Sequence, residues 1–274
     1  MKKIFNFCLG LVILSLLTLW QLERSALASV YFLDIGQGDA VLLRVAGQNI
    51  LVDGGPDNLL MYRLGEVLPW WDKKIDYLLI SHFHADHYMG FIELLNRYEI
   101  KNILVSAHKP EEDFLFSIWQ QALAQHDLQP QIVSPGEKFG IAENIFWKIM
   151  SADSEHKDFN DNSLVVKFSI GEADLLLTGD LTTVKEELML KENLDLESEL
   201  LKVGHHGSRY SSSIEFLQKV KPKICVIQSG LDNSFGHPHA ETLQRLEAAQ
   251  CQILRNDSLG TIKLVTDGDF WQLE

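Results

Sequence analysis

Apolar and polar residues follow one another along the chain in a pattern that predicts strands and helices in turn. Short apolar runs bounded by glycine, proline or polar clusters are typical of strands, whereas apolar residues three and four positions apart are typical of helices. The predicted strands cover residues 30–35, 40–45, 48–52, 75–80, 102–105, 131–133, 145–150, 164–170, 174–178, 199–203, 223–228, 252–254, 261–265 and 270–273. The predicted helices cover residues 59–68, 90–95, 111–125, 182–190, 214–220 and 241–249. The pattern therefore predicts an α/β fold whose first three strands form a meander.

The first 28 residues have the layout of an export signal. A basic start at Lys2 and Lys3 precedes an almost unbroken apolar run at residues 4–20, and an Ala-x-Ala site ends at Ala28. This layout predicts a signal peptide that is cleaved after Ala28. The apolar run is nearly long enough to span a bilayer, so an uncleaved membrane anchor is the alternative. Either one places residues 29–274 outside the cytoplasm, and we expect an exported protein that is periplasmic, otherwise extracytoplasmic, or anchored in the membrane.

Composition limits the classes of protein that the chain can belong to. Its 274 residues are 46% hydrophobic and 23% charged, which suits one large folded domain rather than a disordered protein. The formal net charge of −14 argues against a tight nucleic-acid binder, but it does not exclude an enzyme that needs only transient contact. Cys8, Cys225 and Cys251 are too few and too scattered for a disulfide framework. We expect Cys225, which lies in an apolar run, to be a small core residue.

The densest group of metal-ligand side chains follows the predicted strand at residues 75–80 and comprises His82, His84, Asp86 and His87. In an extended turn His82 and His84 project to the same side, so both can bind one cation. Asp86 and His87 open the next helix and suit a second cation. Imidazole and carboxylate ligands together suit zinc, manganese or iron better than calcium or magnesium. Four such residues at the end of a strand make a simple surface cluster the weaker interpretation.

Two runs of the sequence carry a resemblance to a known family. Residues 82–87 read His-x-His-x-Asp-His and resemble the signature of metallo-β-lactamase-fold hydrolases, which hold one or two metal ions. Residues 32–40 read Phe-Leu-Asp-Ile-Gly-Gln-Gly-Asp-Ala and resemble the opening of the extracytoplasmic β-lactamase-like domain of ComEC-type competence proteins, which form DNA-uptake channels. The resemblance covers nearly all of residues 30–270. It implies a four-layer αββα sandwich, which two groups of strands with helices between them also fit.

The resemblance extends to two aspartates and one missing histidine. Asp180 ends a buried strand on Gly-Asp and matches the superfamily's aspartate that bridges two cations. Asp53 matches the aspartate that orients a ligand histidine. Many members of the superfamily have a third histidine for the first cation near residues 160–163, where this chain has Asn-Asp-Asn-Ser. The first cation is therefore expected to have fewer protein ligands than in those members.

The remaining histidines of the predicted site lie in two later motifs. His205 and His206 belong to a run that resembles the Lys-Val-x-His-His-Gly-Ser motif of ComEC-like proteins, and one of them should complete the second cation with Asp86 and His87. We expect His205, the first of the two past the strand, to be the metal ligand, and His206 to contact substrate or orient a ligand. The reverse assignment, with His206 as the ligand, is also open. His237 is the candidate for a substrate contact or for the acid that protonates the leaving group.

The predicted chemistry is metal-dependent hydrolysis with two divalent cations, zinc or alternatively manganese. In this scheme Asp180 bridges the cations, Asp86 steers the nucleophile, and His206 or His237 stabilises developing charge. The resemblance implies a phosphodiester substrate, because the ComEC-like group is thought to cut a nucleic-acid strand. The expected partners are that substrate, single-stranded nucleic acid held transiently, and the membrane if the first 28 residues are not cleaved.

Two alternatives stay open at the level of sequence. The same centre suits hydrolysis of lactones or other esters. The missing third histidine also leaves room for a metal-binding partner subunit with little catalysis. The chain has no channel-forming segments, so we expect a stand-alone relative to which a role in DNA uptake does not transfer automatically.

Overall fold

The computed structural model describes residues 27–108, 113–152 and 158–274, together with Gly10 and Ile13. The predicted signal peptide or anchor at residues 1–28 lies almost wholly outside the described residues, so its cleavage stays a prediction. In the part of the chain that the structure describes, no helix combines the length and the apolar character needed to cross a bilayer.

Strands and helices alternate through the described residues much as the sequence predicts. The strands are β1 (Ala28–Phe32), β2 (Val41–Val45), β3 (Gln48–Val52), β4 (Lys74–Ile75), β5 (Tyr77–Ile80), β6 (Glu99–Ile100), β7 (Ile103–Val105), β8 (Gln131–Ile132), β9 (Lys138–Ala142), β10 (Ile145–Ser151), β11 (Val165–Ile170), β12 (Ala173–Leu177), β13 (Leu200–Lys202), β14 (Ile224–Ile227), β15 (Gln252–Arg255), β16 (Ile262–Thr266) and β17 (Trp271–Leu273). The α-helices are α1 (Leu59–Val67), α2 (Ala85–Tyr88), α3 (Phe91–Leu95), α4 (Phe114–Gln125), α5 (Thr183–Lys191), α6 (Ile214–Val220), α7 (Ala240–Ala248) and α8 (Asn256–Leu259). Short 3-10 turns cover Asn160–Asn162 and Gly204–Gly207.

A few elements differ from the sequence prediction. β9 and α8 were not predicted, and the predicted strand at 75–80 is interrupted at Asp76. The interruption has a local cause, because the carboxylate of Asp76 accepts a hydrogen bond from the N–H of Asn49 at 3.1 Å. The Asp76 N–H donates in turn to the carbonyl of Asn49 at 2.8 Å. These two bonds hold Asp76 against β3 while β5 begins one residue later.

The strands form two main sheets that face each other. One sheet has eight strands in the order β17-β16-β1-β2-β3-β5-β7-β8, and the other has seven in the order β15-β14-β13-β12-β11-β10-β9. β1, β2 and β3 pair antiparallel and confirm the predicted meander. β3, β5 and β7 are parallel neighbours, as are β12, β13 and β14. The predicted αββα sandwich is confirmed.

Side chains of the strands alternate between an inner and an outer core. In β2, Val41 and Leu43 pack between the two sheets, whereas Leu42 packs under the helices outside the first sheet. Because successive residues of a strand point to opposite faces, a sheet that is covered on both sides needs apolar residues at every position. This explains why the strands read as continuous apolar runs. α1 to α4 cover the first sheet, and α5 to α7 cover the second.

Cys225 and Cys251 form a disulfide, with their Cα atoms 5.9 Å apart. The expectation that Cys225 is simply a small core residue is therefore wrong in part, since the residue is buried but paired. Cys225 lies on β14, and Cys251 immediately precedes the parallel neighbour β15. The 26-residue separation hides the pairing in the sequence, because α7 must first return the chain to the same edge of the sheet.

We expect reduction of this disulfide to destabilise the fold by about 3 kcal/mol, because the closed loop restricts the unfolded chain. The check is urea denaturation of the oxidised protein, with and without reductant, monitored by circular dichroism. The variant carrying Cys225→Ala and Cys251→Ala cannot form the disulfide, so its urea midpoint should match that of the reduced protein both with and without reductant. A reductant effect of equal size in that variant would contradict the assignment.

Candidate metal centre

The ends of several strands bring ligand side chains to one edge of the sandwich. His82 follows β5, Asp180 follows β12, and the 3-10 turn with His205 and His206 follows β13. The run after β5 leads into α2, whose N-cap residue is His84. Because β12 and β13 are parallel neighbours, the loops after them lie side by side. Because β5 belongs to the facing sheet, packing of the two sheets brings the loop after β5 next to the loops after β12 and β13.

One group of ligand atoms lies around His82. Single ligand atoms of His82, His87 and Asp180 all fall within 4.8 Å of one another, and all three residues are buried. The Nε2 atom of His82 lies 2.9 Å from Nδ1 of His84. The structure thus brings His84 beside this group, as predicted for two histidines that share a cation.

A second group of ligand atoms comprises Asp86, His87 and His206, again within 4.8 Å of one another. The Nε2 atom of His206 lies 3.4 Å from Oδ2 of Asp86 and 3.3 Å from Oδ2 of Asp180. His87 Nε2 is also 3.3 Å from that same oxygen of Asp180. Asp180 therefore lies between both groups, which is the position that the predicted bridging role requires.

Of the two orders that the sequence leaves open for His205 and His206, the geometry fits the one in which His206 is the ligand. His206 is buried in the second group, whereas His205 lies at the rim with its Nε2 atom 3.8 Å from Asp180. The cause is a sharp turn, since both residues have left-handed backbone conformations with φ of 48° and 52°. Two successive left-handed residues turn the second side chain inward. The geometry favours His206 as the ligand and His205 as the residue that faces substrate.

Two buried residues of the centre were missed by sequence reasoning. Asp39 lies within ligand distance of both His206 and Asp180, and it forms a buried ion pair with Lys202. The Lys202 ammonium also donates to the carbonyl of Gly179 at 2.9 Å. Asp39 belongs to the Gly-Gln-Gly-Asp turn, which the sequence presents only as a turn, and Lys202 reads as a strand residue. The clue in the sequence was a lysine at the end of an otherwise apolar strand, separated from the two histidines only by Val203 and Gly204.

Neighbouring groups fix the orientation of the ligand imidazoles. Oδ2 of Asp53 lies 3.0 Å from Nδ1 of His87, which is the contact expected of an aspartate that orients this ring. The other oxygen of Asp53 accepts from the backbone N–H of Ser81 at 2.7 Å. Nδ1 of His206 lies 2.9 Å from the carbonyl oxygen of Gln228 and therefore donates its hydrogen to it. In both residues Nε2 is left free to bind a cation, which is the usual arrangement of ligand histidines.

Glycine is required where the backbones of the ligand loops meet. A Cβ atom at Gly90 would lie 2.0 Å from the carbonyl oxygen of Gly54, and one at Gly38 would lie 2.2 Å from that of Asp86. Hydrogen bonds tie the same loops together, including one of 2.6 Å from Gly54 N–H to the carbonyl of His87. Direct backbone contact thus holds the histidine run in place.

Divalent cations fit the residues present in this centre. Within the described residues, Nε2 of His87, Nε2 of His206 and Oδ1 of Asp180 are buried and make no hydrogen bond. Buried polar atoms without partners are costly, and a shared cation would satisfy all three. Imidazole and carboxylate donors suit transition metals. The fold and the donor set together indicate a divalent metal centre, for which two adjacent groups of ligands are present.

The pKa values of the centre are shifted by burial and by mutual charge. Burial acts to lower the pKa of His87 and of His206, but the nearby carboxylates, Asp180 first among them, raise both pKa values well above the ordinary value. For Asp180 burial acts to raise the pKa, yet His206 and His87 hold it well below its usual range. Burial and the charge on His87 lower the pKa of His82 well below its ordinary value. Asp180 is thus a carboxylate at neutral pH.

His237 lies on the loop that forms one side of the opening. Its ring centroid is 5.6 Å from that of His205 and 6.1 Å from that of His206. Burial, followed by the charges of those two histidines, lowers the pKa of His237 to about 4. A neutral imidazole is a poor acid at pH 7, so the structure favours the predicted substrate contact over the predicted role as general acid.

Comparison with known proteins agrees with this geometry. A model of the metallo-beta-lactamase superfamily matches residues 33–230. The chain is 28% identical over 260 residues to ComE operon protein 3 of Bacillus subtilis (strain 168), which covers 87% of this chain and 33% of that protein. It is 32% identical over 248 residues to competence protein ComA of Neisseria gonorrhoeae, covering 88% of this chain and 32% of that protein. The chain thus spans about a third of the length of these curated relatives.

A solved structure shows the same fold at low sequence identity. The crystal structure of a diphosphatase from the PhnP family matches with a TM-score of 0.53 and 15% identity, covering 87% of this chain and 97% of that chain. At this level of identity the match concerns the fold alone.

We expect zinc binding to release protons from His87 and His206. A histidine whose pKa is raised above its ordinary value keeps its proton at pH 7, and a cation must displace that proton. Affinity should therefore rise with pH, roughly tenfold per pH unit for each displaced proton, until the raised pKa is passed. The measurement is calorimetric titration with zinc in buffers of different ionisation enthalpy.

The matched variants for this titration are His206→Ala and His126→Ala. His126 is an exposed histidine outside the centre, so its variant should release as many protons as the unchanged protein. His206→Ala should bind zinc more weakly and release about one proton fewer. Equal proton release by all three proteins would show that His206 is not a ligand.

Proposed function

Because the chain belongs to the metallo-beta-lactamase superfamily of metal-dependent hydrolases, we propose that it hydrolyses phosphodiester bonds, with single-stranded nucleic acid as its preferred substrate. The observation that carries the proposal is the position of Asp180, within 3.3 Å of both His87 and His206. A carboxylate between two groups of ligands suits paired cations, and paired cations suit displacement at phosphorus. Relatives named for competence support the choice of a nucleic acid.

Two divalent cations, zinc in preference to manganese, are the proposed cofactors. One would be held by His82, His84 and Asp180, and the other by Asp86, His87, His206 and Asp180. Bound there, such cations polarise a phosphoryl oxygen and lower the pKa of water toward about 7. Asp39 and Lys202 would support the second group of ligands from the buried side, through their mutual ion pair.

Residues at the opening are proposed to position the reacting groups. Asp86 is partly exposed, and its pKa is lowered chiefly by His87 and His206 against the effect of burial. It is therefore an acceptor at neutral pH and can orient the attacking water. His205 and His237 both have lowered pKa values, for which burial is the largest cause. As neutral imidazoles each can donate one N–H to an oxygen of the substrate.

An exposed aromatic side chain beside the opening favours a nucleic acid over a small ester. Phe235 is 62% exposed, and its ring stacks on His237 at 5.7 Å with 19° between the planes. The side chain of Asn233 holds this loop, donating to the carbonyls of Gly230 and His237 and accepting from two backbone N–H groups. A rigid, exposed ring next to the cleavage site is a suitable platform for a nucleobase.

Hydrolysis of lactones or other esters is the alternative, because it requires the same ligands. A subunit that binds metal with little catalysis is less well supported. The residues that replace the third histidine are engaged structurally, since Thr182 Oγ1 donates to Asp161 at 2.5 Å. The first group nevertheless keeps two histidines and the shared aspartate.

The proposed place of action is outside the cytoplasm, in the periplasm or at the membrane. The apolar run at residues 4–20 and the basic residues before it support export. The Cys225–Cys251 disulfide adds an independent argument, because structural disulfides form chiefly in oxidising compartments.

Replacement of Asp180 is expected to abolish turnover while the protein stays folded. Asp180→Ala removes the ligand shared by both groups, and the loss should be roughly a thousandfold or more. The assay compares bis(p-nitrophenyl) phosphate, an oligonucleotide and a lactone, each with zinc and with manganese. Asp269→Ala, which changes an exposed aspartate in the terminal hairpin, is the matched control. Retained turnover by Asp180→Ala would refute the centre, and faster turnover of the lactone would favour the alternative.

Replacement of Phe235 is expected to weaken binding of a nucleic-acid substrate without affecting turnover of a small phosphodiester. Loss of a stacked base costs about 1–3 kcal/mol, so Phe235→Ala should raise KM for a single-stranded oligonucleotide roughly tenfold. The same variant should keep the kcat of the unchanged protein on bis(p-nitrophenyl) phosphate, because removal of the ring leaves the metal ligands unchanged. Phe270→Ala, an exposed phenylalanine remote from the centre, should leave both substrates unaffected. An unchanged oligonucleotide KM in Phe235→Ala would contradict the platform.

A further inference from the structure

Two adjacent tryptophans are exposed on the loop between α1 and β4. Trp70 is 80% exposed and Trp71 is 69% exposed, and their rings meet edge to face at a centroid distance of 5.6 Å. Two such side chains side by side form an exposed apolar patch, and patches of this kind mark candidate contact surfaces. Tryptophan prefers surroundings that are apolar on one side and wet on the other.

The contacts of the next residue fix where this pair lies. The carboxylate of Asp72 accepts from Nδ2 of Asn49 at 3.1 Å and lies 3.8 Å from the guanidinium of Arg44. Arg44 and Asn49 are paired across β2 and β3, and Arg44 is also paired with Ser29 on β1. The tryptophan pair therefore lies at the end of the first sheet where β1 begins.

The metal centre lies at the opposite end of the same strands. Asp53, which orients His87, directly follows the last residue of β3, whereas Asn49 is the second residue of that strand. At about 3.4 Å per residue, the four steps from Asn49 to Asp53 place the two ends about 14 Å apart. A surface that contacts the tryptophan pair thus leaves the opening of the centre free.

The charges at this end are nearly balanced, although the whole chain carries −14. Lys74 and Lys101 both pair with Asp76, and Arg44 pairs with Asp72. The ammonium group of Lys73 lies 3.2 Å from the hydroxyl of Tyr98. Lysines beside tryptophans are typical of surfaces at a membrane interface, where the ammonium groups reach the headgroups. Anionic lipids would therefore be repelled less by this end of the sheet than by the acidic surface of the rest of the chain.

We propose that Trp70 and Trp71 insert into the interfacial layer of a lipid bilayer, so that the metal centre faces away from the membrane. The chain itself supplies the argument for this partner. The residues before β1 join the sheet at the same end, where Leu27 N–H donates to the carbonyl of Thr266 at 2.7 Å. They include the apolar run at residues 4–20, which suits a bilayer.

The experiment measures quenching of tryptophan fluorescence by brominated lipids, with the full chain in phosphatidylcholine vesicles. The background variant is Trp20→Phe, because Trp20 lies in the apolar run. Three further tryptophans are buried and provide constant emission: Trp119, Trp147 and Trp271. Bromine near the headgroups should quench the background variant and should have no effect once Trp70→Ser and Trp71→Ser are added.

A matched control places a reporter at the other end of the strands. Phe235→Trp, added to the triple variant, puts an exposed tryptophan beside the metal centre, and lipid bromine should not quench it. Equal quenching with and without Trp70 and Trp71 would overturn the proposal, as would quenching of the Phe235→Trp reporter. Protection of the pair from iodide without quenching by lipid would also overturn it, because another protein surface would then cover the pair. Both replaced tryptophans are exposed, so circular dichroism and turnover of bis(p-nitrophenyl) phosphate should be unchanged.

Discussion

The buried carboxylate of Asp180 is the constraint on which the geometry of the metal centre depends. A buried charge without partners costs several kcal/mol, so the chain must bring opposite charges to it. His87 and His206 each approach one oxygen to 3.3 Å, and the Lys202 ammonium lies 3.7 Å from the other. These partners come from the loop after β5 and from the end of β13. Ion pairs thus join the ligand loops of the two facing sheets at this edge, while the apolar core holds the sheets together.

The parts of the site that follow from local sequence could be predicted. The spacing of His82, His84 and His87 after an apolar run predicts a strand followed by a ligand loop. This prediction does not depend on the rest of the fold. Asp180 is equally local, because a carboxylate that follows a buried strand after a short turn must lie at the end of that strand, where the sheet meets its loops. The layered arrangement of sheets under helices also follows from the sequence, since strands that are apolar at every position need cover on both faces.

The parts that depend on distant contacts or on backbone handedness could not be predicted. The left-handed backbone conformations of His205 and His206 decide which of the two side chains points into the centre. No side-chain pattern in the sequence predicts two such residues in succession. The role of Asp39 arises only because its turn packs on the ligand loop, where the Asp39 N–H donates to the carbonyl of Asp86 at 3.2 Å. The pairing of Cys225 likewise needs the crossover that places β15 beside β14. In each case the feature depends on a contact between residues that are distant in the sequence, or on a turn whose backbone conformation the sequence does not specify.

The same balance of charge bears on the anionic substrate proposed for a chain of net charge −14. In the centre itself, the carboxylates of Asp39, Asp53, Asp86 and Asp180 face one buried ammonium, that of Lys202, and two imidazoles whose pKa values are raised. This set repels a phosphodiester and attracts cations. Two divalent cations add four positive charges and displace up to two protons, a net gain of about two positive charges. Affinity for the proposed anionic substrate would thereby depend on bound metal, while the acidic surface elsewhere would disfavour unproductive binding of nucleic acid.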